Sequence, residues 1–285
     1  MTVERDILAH YRHGSLEQAL LAGLVAAGKD PDKLTPDDLA AADEFHVGGR
    51  QATVDLAAEI APAAGMHLLD IGSGLGGPSR FFAQNYDCRV SGVDLSEEFV
   101  VTAGSLARRT ALDGKVQYRV ASALELPFPD GSFDAAYMQH VGMNIADKAK
   151  LFHEVHRVLK ANATFALYDL MRTGEGPLTF PVPWASNEAG SFVEPPEVYR
   201  ALLSADGFEV VKERNRADIA LEVYRARLAN LAKGGGPPPL GIHIVMGASA
   251  SQKTTNMLSH VERGIIAPVE MICRRVAVNP HAGNV

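Results

Sequence analysis

Short apolar runs ending on an acid or a polar residue recur through the middle of the chain, and stretches with apolar residues three and four apart separate them. LLDIG at 68–72, CRVSGVD at 88–94, VQYRV at 116–120, FDAAYMQ at 133–139 and TFALYDL at 164–170 are the runs. Each has the length and apolar character of a strand in a covered sheet. GPSRFFAQNY and DKAKLFHEVHRVLK are the clearest of the intervening stretches, and in the second Leu151, Val155, Val158 and Leu159 form one stripe behind Asp147, a good N-cap. Strand and helix alternating in this way predict βαβ units around a parallel sheet. PEVYRALLSADGFEVVKERN then predicts a helix stopped at Gly207 and a sixth strand, and IIAPVEMICRRV predicts a seventh.

The ends and the gaps follow a different pattern. ILAHYRHGSLEQALLAGLVAAG has helical spacing broken at Gly14, and Thr35 before Pro36 caps a second short helix. A helix over Thr53–Ile60 leads through Pro62 and Gly65 into the first run. We therefore expect an N-terminal helical cap over 1–50 and a sheet domain over 51–278. Two insertions interrupt the sheet domain, at about 171–194 and 218–264. Excursions of that length beside a compact sheet form lids or substrate walls, for which Trp184, Phe180, Phe192 and Met246 supply apolar material. The alternative use for such a surface is contact with a second copy, a homodimer.

Composition narrows the function. With 285 residues, 47% of them hydrophobic, the chain can bury a large core. A formal net charge of -7 opposes a general nucleic-acid partner. Two cysteines, Cys88 and Cys273, allow neither a disulfide framework nor a cysteine zinc cluster. The start, MTVERDILAHY, lacks an apolar signal region and no run reaches membrane-spanning length, so a cytoplasmic protein without a membrane partner is expected.

The chemistry concentrates at 68–77, LLDIGSGLGG. Gly72, Gly74 and Gly77 fit the dinucleotide fingerprint, while Gly72, Gly74 and Gly76 fit a second spacing, so the glycines alone do not name the ligand. Asp70 discriminates. Its carboxylate repels a pyrophosphate but attracts a ligand carrying an ammonium and a sulfonium, as S-adenosylmethionine does. Asp94 follows Gly74 by about the 20 residues that place an acid on ribose hydroxyls, with Ser96 better placed to cap the next helix. Ser122 and Ala123 at the third strand's carboxyl edge belong beside the adenine, and Gln139 and His140 leave the fourth strand on the same edge. His46 sits among Gly48, Gly49 and Arg50, upstream of the first strand. His153 and His156 lie three apart on a helix without an acid at ligand spacing, and no metal site is expected.

From Leu68 to Leu170 these features, with PFPDGSFD at 127–134 and the VLK helix end, resemble the class I S-adenosylmethionine-dependent methyltransferases. DEFHVGGRQAT and PVPWA are similar to segments of small-molecule methyltransferases, namely the sarcosine and dimethylglycine N-methyltransferases and the UbiE-type C-methyltransferases. The resemblance implies a Rossmann-like α/β fold with seven strands, the last antiparallel, and helices on both faces. It implies S-adenosylmethionine as cofactor, S-adenosylhomocysteine as product and a small-molecule acceptor. The cofactor would lie on Asp70, Gly72, Ser73, Gly74, Gly76, Asp94, Leu95, Ser122, Ala123 and Gln139. The chain departs from the family at Ser122, where an acid is usual, and at Ala161–Ala163, where Pro-Gly-Gly is usual.

Methyl transfer from a sulfonium needs alignment and exclusion of water, and a hydroxyl, amine or carbon acceptor also needs a proton removed. His140 is the first candidate base and His46 the second, with Tyr168 and Asp169 shaping the site. Arg50 or Arg172 could clamp a carboxylate. The first acceptor suggested is a sarcosine-like amine, with a quinone, phenol or other natural product as the alternative. Two other classes share the glycine turn: a nicotinamide-dependent oxidoreductase, which must accommodate Asp70, and a non-catalytic cofactor-binding protein, which would keep every motif.

Overall fold

A computed structural model describes residues 4, 10, 11, 14–232 and 236–276. Most of residues 7–13, which the sequence places in the first helix, and the end of the expected sheet domain at 277–278 lie outside the described residues. Seven strands form one sheet in the order β3-β2-β1-β4-β5-β7-β6. They are β1 (His67–Ile71), β2 (Arg89–Asp94), β3 (Val116–Val120), β4 (Phe133–Gln139), β5 (Leu159–Arg172), β6 (Phe208–Asn215) and β7 (Ile266–Arg275). β1 pairs in parallel with both β2 and β4, with Asp70 opposite Gly92 on one side and Tyr137 on the other. The strand order reverses there, which opens a crevice at the carboxyl ends. β7 runs antiparallel to both β5 and β6, as expected.

Alternation along each strand divides the core between two faces. Leu69, Ala136, Met138 and Phe165 pack against α6 (Lys148–Val158) and α7 (Pro196–Ala205), through Leu151, Val155, Tyr199 and Leu203. Leu68, Ala135, Tyr137 and Ala166 pack against α3 (Gly49–Ile60), α4 (Gly77–Asn85) and α5 (Glu97–Arg109), through Leu56, Phe82 and Ala107. Each fully buried side chain of this size contributes roughly 1.5–3 kcal/mol, so the central strands are fixed from both sides.

The N-terminal helices α1 (Leu16–Ala26) and α2 (Pro36–Asp43) lie against this frame. Thr35 accepts from the Asp38 amide, and Asp38 accepts from the Thr35 amide at 2.9 Å, a reciprocal cap on α2. Leu16, Leu20, Leu24 and Leu39 share a core with Phe99 and Leu106 of α5 and with Leu240 and Val245. The second insertion is largely helical, comprising α8 (Ala217–Ala232), α9 (His243–Met246) and α10 (Ala250–Glu262). Tyr224, Met257 and Val261 of that group cover Tyr168 and Leu170 at the end of β5, together with Trp184 from the first insertion. Among the described residues no helix is long and apolar enough to cross a membrane.

Three boundaries differ from expectation. α3 starts at Gly49 rather than Thr53, because Gly48, at φ 88°, turns the chain into it. α6 stops at Val158, and Leu159 already pairs with Phe133. Asn162, at φ 62°, then takes a left-handed conformation within the irregular start of β5 instead of closing a helix. β5 also continues through Arg172, so the first insertion begins after it.

Candidate active site

The turn after β1 is built by backbone. The amides of Gly72 and Ser73 both donate to Val93 O, at 2.8 and 2.9 Å, and the Gly74 amide donates to Asp94 Oδ2 at 2.9 Å. Gly72 has φ 71°, and a Cβ there would meet Val141 Cγ2 at 2.3 Å. Gly74 has φ 51° and open space around it, so its backbone faces the crevice uncovered. Gly76 serves a different purpose from the one expected. It does not line the crevice, and a Cβ there would strike Tyr118, whose hydroxyl donates to Gly76 O at 3.3 Å.

A cavity of about 470 Å³ follows the carboxyl edge from this turn. That lies within the roughly 300–1,000 Å³ of small-molecule sites. Asp70, Gly72, Ser73, Gly74, Asp94, Leu95, Ser122, Ala123 and Gln139 all line it, as do His46 and His140. Asp70 is buried and accepts from Ser79 Oγ at 2.6 Å. Burial pushes its carboxyl up to about 7 against the hydrogen bonds of Ser79 and Tyr137, with the charges of Asp94 and Glu44 adding to the rise. Asp94 is also raised by burial, although backbone amides, among them those of Ser96 and Gly74, oppose this. Ser96 caps α5 through the Phe99 amide.

Besides Asp43 Oδ1 and one nitrogen on each of His46 and His140, four buried polar atoms of residues along the cavity are unsatisfied: Ser73 Oγ, Asn144 Oδ1 and both amide atoms of Gln139. Buried polar atoms are nearly always paired, so this cluster calls for a polar ligand. Ser122 is not free in the same way. Its hydroxyl donates to Glu4 Oε1 at 2.8 Å and accepts from the Leu124 amide at 3.2 Å. Tyr11 accepts from Asn144 Nδ2 at 3.4 Å, and His10 Nε2 lies 2.9 Å from Pro183 O. The N-terminal segment thus reaches both the cavity and the first insertion.

His140, at the exit of β4, has φ 56°, and its amide donates to Tyr168 O at 2.7 Å. Burial, helped by His46, holds its pKa well below the ordinary value, and Nε2 has no partner. The His46 ring lies 6.1 Å away, centroid to centroid. Its Nε2 is 3.0 Å from Glu44 Oε2 and 3.2 Å from Thr53 Oγ1, while Nδ1 is buried without a partner. Burial pushes Glu44 up, but the hydrogen bond from His46, the charges of His46 and Arg50 and the Thr53 hydroxyl at 2.7 Å hold it below the usual carboxylate range. Glu44 thus orients His46 with Nε2–H donating, which leaves the Nδ1 lone pair free. His140, the first candidate base in the sequence, has no such carboxylate among the described residues.

His46 and His140 also line a second cavity, of about 40 Å³, which shares Tyr11 and Phe45 with the first. Its far wall includes Trp184, Tyr224, Arg227 and Met246. Phe180 and Phe192, expected beside them, line neither cavity. Neither do the two arginines expected as clamps. Arg50 lies 2.8 Å from Glu44 Oε1 and 5.0 Å over the Phe81 ring, and Arg172 donates to Gly176 O at 2.9 Å. Asp169 is locked by the Tyr199 hydroxyl at 2.7 Å, and burial pushes it up to about 6. The Tyr168 ring lies 5.0 Å from that of His140, tilted at 41°. His153 and His156 have separate partners, Asp206 at 3.3 Å and Arg275 at 3.1 Å.

Sequence reasoning missed Glu4, Tyr11, Glu44, Asn144 and a fully buried ion pair, Arg80 to Asp43 at 2.6 Å. The pair joins α2 to α4 beneath the glycine turn, and burial raises Asp43 to about 6 despite Arg80. Arg80 in the otherwise apolar GPSRFFA stretch was the available signal, since a cation on a covered face needs a partner.

Comparison with known proteins agrees with this geometry. A family model described as "Methyltransferase domain" matches residues 69–167. The O-methyltransferase cnsE of Penicillium expansum is 30% identical over 198 residues, covering 67% of each chain. The chain spans a smaller share, 31–61%, of other curated relatives it matches. A geranyl diphosphate C-methyltransferase from Streptomyces coelicolor A3(2), solved with S-adenosyl-L-homocysteine, superposes with a TM-score of 0.71 at 18% identity, covering 97% of this chain and 99% of that one. The [4+2]-cyclase SpnF superposes at 0.68 with 20% identity, covering 92% and 93%.

Proposed function

Because the chain belongs to the S-adenosylmethionine-dependent methyltransferase family, we propose that it O-methylates an apolar, hydroxylated small molecule, with His46 as the general base. The observation that carries this reading is the Glu44–His46 pair, in which Nδ1 has no partner and His46 lines both cavities. Family membership also sets aside the oxidoreductase reading of the glycine turn.

The larger cavity fits the cofactor. Asp70 would take the ammonium, Asp94 the ribose hydroxyls, and Ser122, Ala123 and Leu95 the adenine. Glu4, on Ser122, would supply the acid that position 122 lacks, accepting from the exocyclic amine. Ser73, Gln139 and Asn144 would spend their unpaired atoms on the same ligand. The chemistry supplied there is an electrophilic methyl group on sulfur. The chain's own task is to align a lone pair with that carbon, keep water out and take a proton. His46 Nδ1 would remove the hydroxyl proton as the oxygen–carbon bond forms and the carbon–sulfur bond breaks. Glu44 would then face the resulting imidazolium.

Arg227 in the wall of the second cavity favours a hydroxyl over the sarcosine-like amine first suggested, since an ammonium there would meet a like charge. We assign residues 1–50 to a cap that closes the cofactor side, and the two insertions to the acceptor wall. Nucleic acid is not a partner in this reading, consistent with the net charge of -7. The test is a set of matched phenols, amines and thiols incubated with S-adenosylmethionine and followed by S-adenosylhomocysteine release. His46→Gln should lower turnover of a phenol roughly 10²–10⁴-fold at unchanged cofactor Kd. Full activity in that variant would refute the base assignment.

A further inference from the structure

Arg227 is the one charge on the smaller cavity that nothing in the described protein balances. It projects from α8 into a wall otherwise made of Trp184, Tyr224, Val223, Ile242 and Met246, and no aspartate or glutamate lines that cavity. Its neighbours are satisfied: Arg225 reaches Glu262 at 2.8 Å and Arg216 reaches Asp55 at 2.6 Å. Arg227 has no such partner among the described residues. Its nearest feature is the Tyr224 ring, 5.9 Å from the guanidinium carbon, a contact of modest strength. The remaining charge nearby is unhelpful, since His243 sits close enough to feel the guanidinium as a like charge.

Arg227 is only partly buried, so water meets it in the free protein, and an apolar acceptor that fills the cavity completes its desolvation at a cost unless it brings an anion. The planar fork of the guanidinium matches a carboxylate, which it grips through two parallel hydrogen bonds. A cavity of about 40 Å³ has room for a carboxylate-sized group, and the rest of an acceptor would extend along Tyr11, Phe45, His46 and His140, which also line the larger cavity. One arginine also balances one negative charge, which disfavours a diphosphate. The same cavity is also bounded by His46 and His140.

We infer that the acceptor is amphiphilic, with an apolar body and a single carboxylate that Arg227 binds, and that its reacting hydroxyl is held at the other end beside His46. This rests on the methyltransferase reading above and adds to it the substrate class. Arg227 is then a specificity residue, touching the acceptor without touching the transferred methyl group. Its loss changes which molecules bind and leaves the cofactor where it was.

The test uses the full chain with S-adenosylhomocysteine bound and a non-reacting probe, 4-phenylbutanoate, compared with its uncharged methyl ester by calorimetry. The acid should bind roughly ten- to a hundredfold more tightly than the ester. Arg227→Met, which keeps the stem packed on Tyr224, should erase that preference, while Arg227→Lys should keep part of it. Both variants should retain the wild-type Kd for S-adenosylhomocysteine, which also shows that they are folded. Equal binding of acid and ester to the wild type, or no binding of either, overturns the inference and leaves the methyltransferase reading standing. Failure to bind S-adenosylhomocysteine overturns the methyltransferase reading instead.

Discussion

Lowering the pH should weaken cofactor binding through Asp70. In the free protein burial raises this carboxyl to about 7, so near neutrality it carries a proton about half the time. A ligand that places an ammonium against it requires the ionised form. Above pH 7 the ligand meets a carboxylate; as pH falls through 7 it must first displace a proton, so affinity is lost on the acid side. If the complex keeps Asp70 ionised, the apparent Kd carries a factor of 1 + 10^(7 − pH), about 1.3 at pH 7.5 and about 30 at pH 5.5. The expected loss is about 25-fold, or ~1.9 kcal/mol. Titration calorimetry across that range, in two buffers of different ionisation enthalpy, measures both the Kd and the proton released. Asp70→Asn should bind weakly at every pH and flatten the profile. A Kd independent of pH, or an unchanged slope in Asp70→Asn, would refute the assignment of Asp70 to the ammonium.

Two further variants test residues outside the glycine turn. Glu4→Ala should raise the Kd for S-adenosylhomocysteine roughly five- to twentyfold, the worth of one charge-assisted hydrogen bond, with no change in melting temperature; an unchanged Kd removes Glu4 from the adenine end. Arg80→Met should cost about 3–5 kcal/mol in chemical denaturation at neutral pH, because it strands Asp43 in the core, and adding Asp43→Leu should recover more than half of that. Were the single and double variants equally unstable, the packing of Arg80 rather than its charge would be what matters.

The sheet was legible because its cause is local. Each central strand is a run of apolar residues covered on both faces, and such runs announce themselves without knowledge of the partner strands. The glycine turn was legible for the same reason, but the three glycines proved unlike one another. Gly72 makes way for Val141 and Gly76 for Tyr118, and only Gly74 stands open to the cavity. Those neighbours are 42 to 69 residues away in sequence, so spacing could not separate the roles. Distance along the chain hid the rest of the site as well. Glu4 meets Ser122 across 118 residues, and Arg80 meets Asp43 across 37. Arg50 and Arg172 looked available as clamps because their local partners, Glu44 and Gly176, become visible only once the chain has folded. Arg227 carries no signal of its own in the sequence, and stands out because, among the described residues, the fold leaves it without an acid.

Charge accounting ties these features into one site. In the O-methylation proposed above, the reacting pair would enter with one positive charge on sulfur and a neutral hydroxyl and leave as a neutral thioether and a neutral ether, so one proton would have to be placed within the protein. Asp70 and Asp94, at the cofactor end, are already raised by burial and engaged by Ser79 or by backbone amides. A proton left there would compete with the ammonium that Asp70 must hold. Glu44 differs because it is kept below the usual carboxylate range and faces the cavity only through His46. A proton on Nδ1 therefore forms an imidazolium beside an ionised carboxylate, at the acceptor end and away from Asp70. On this argument Glu44→Gln should slow turnover without altering cofactor affinity, because it removes the counter-charge for the step and leaves the cofactor's own carboxylates in place.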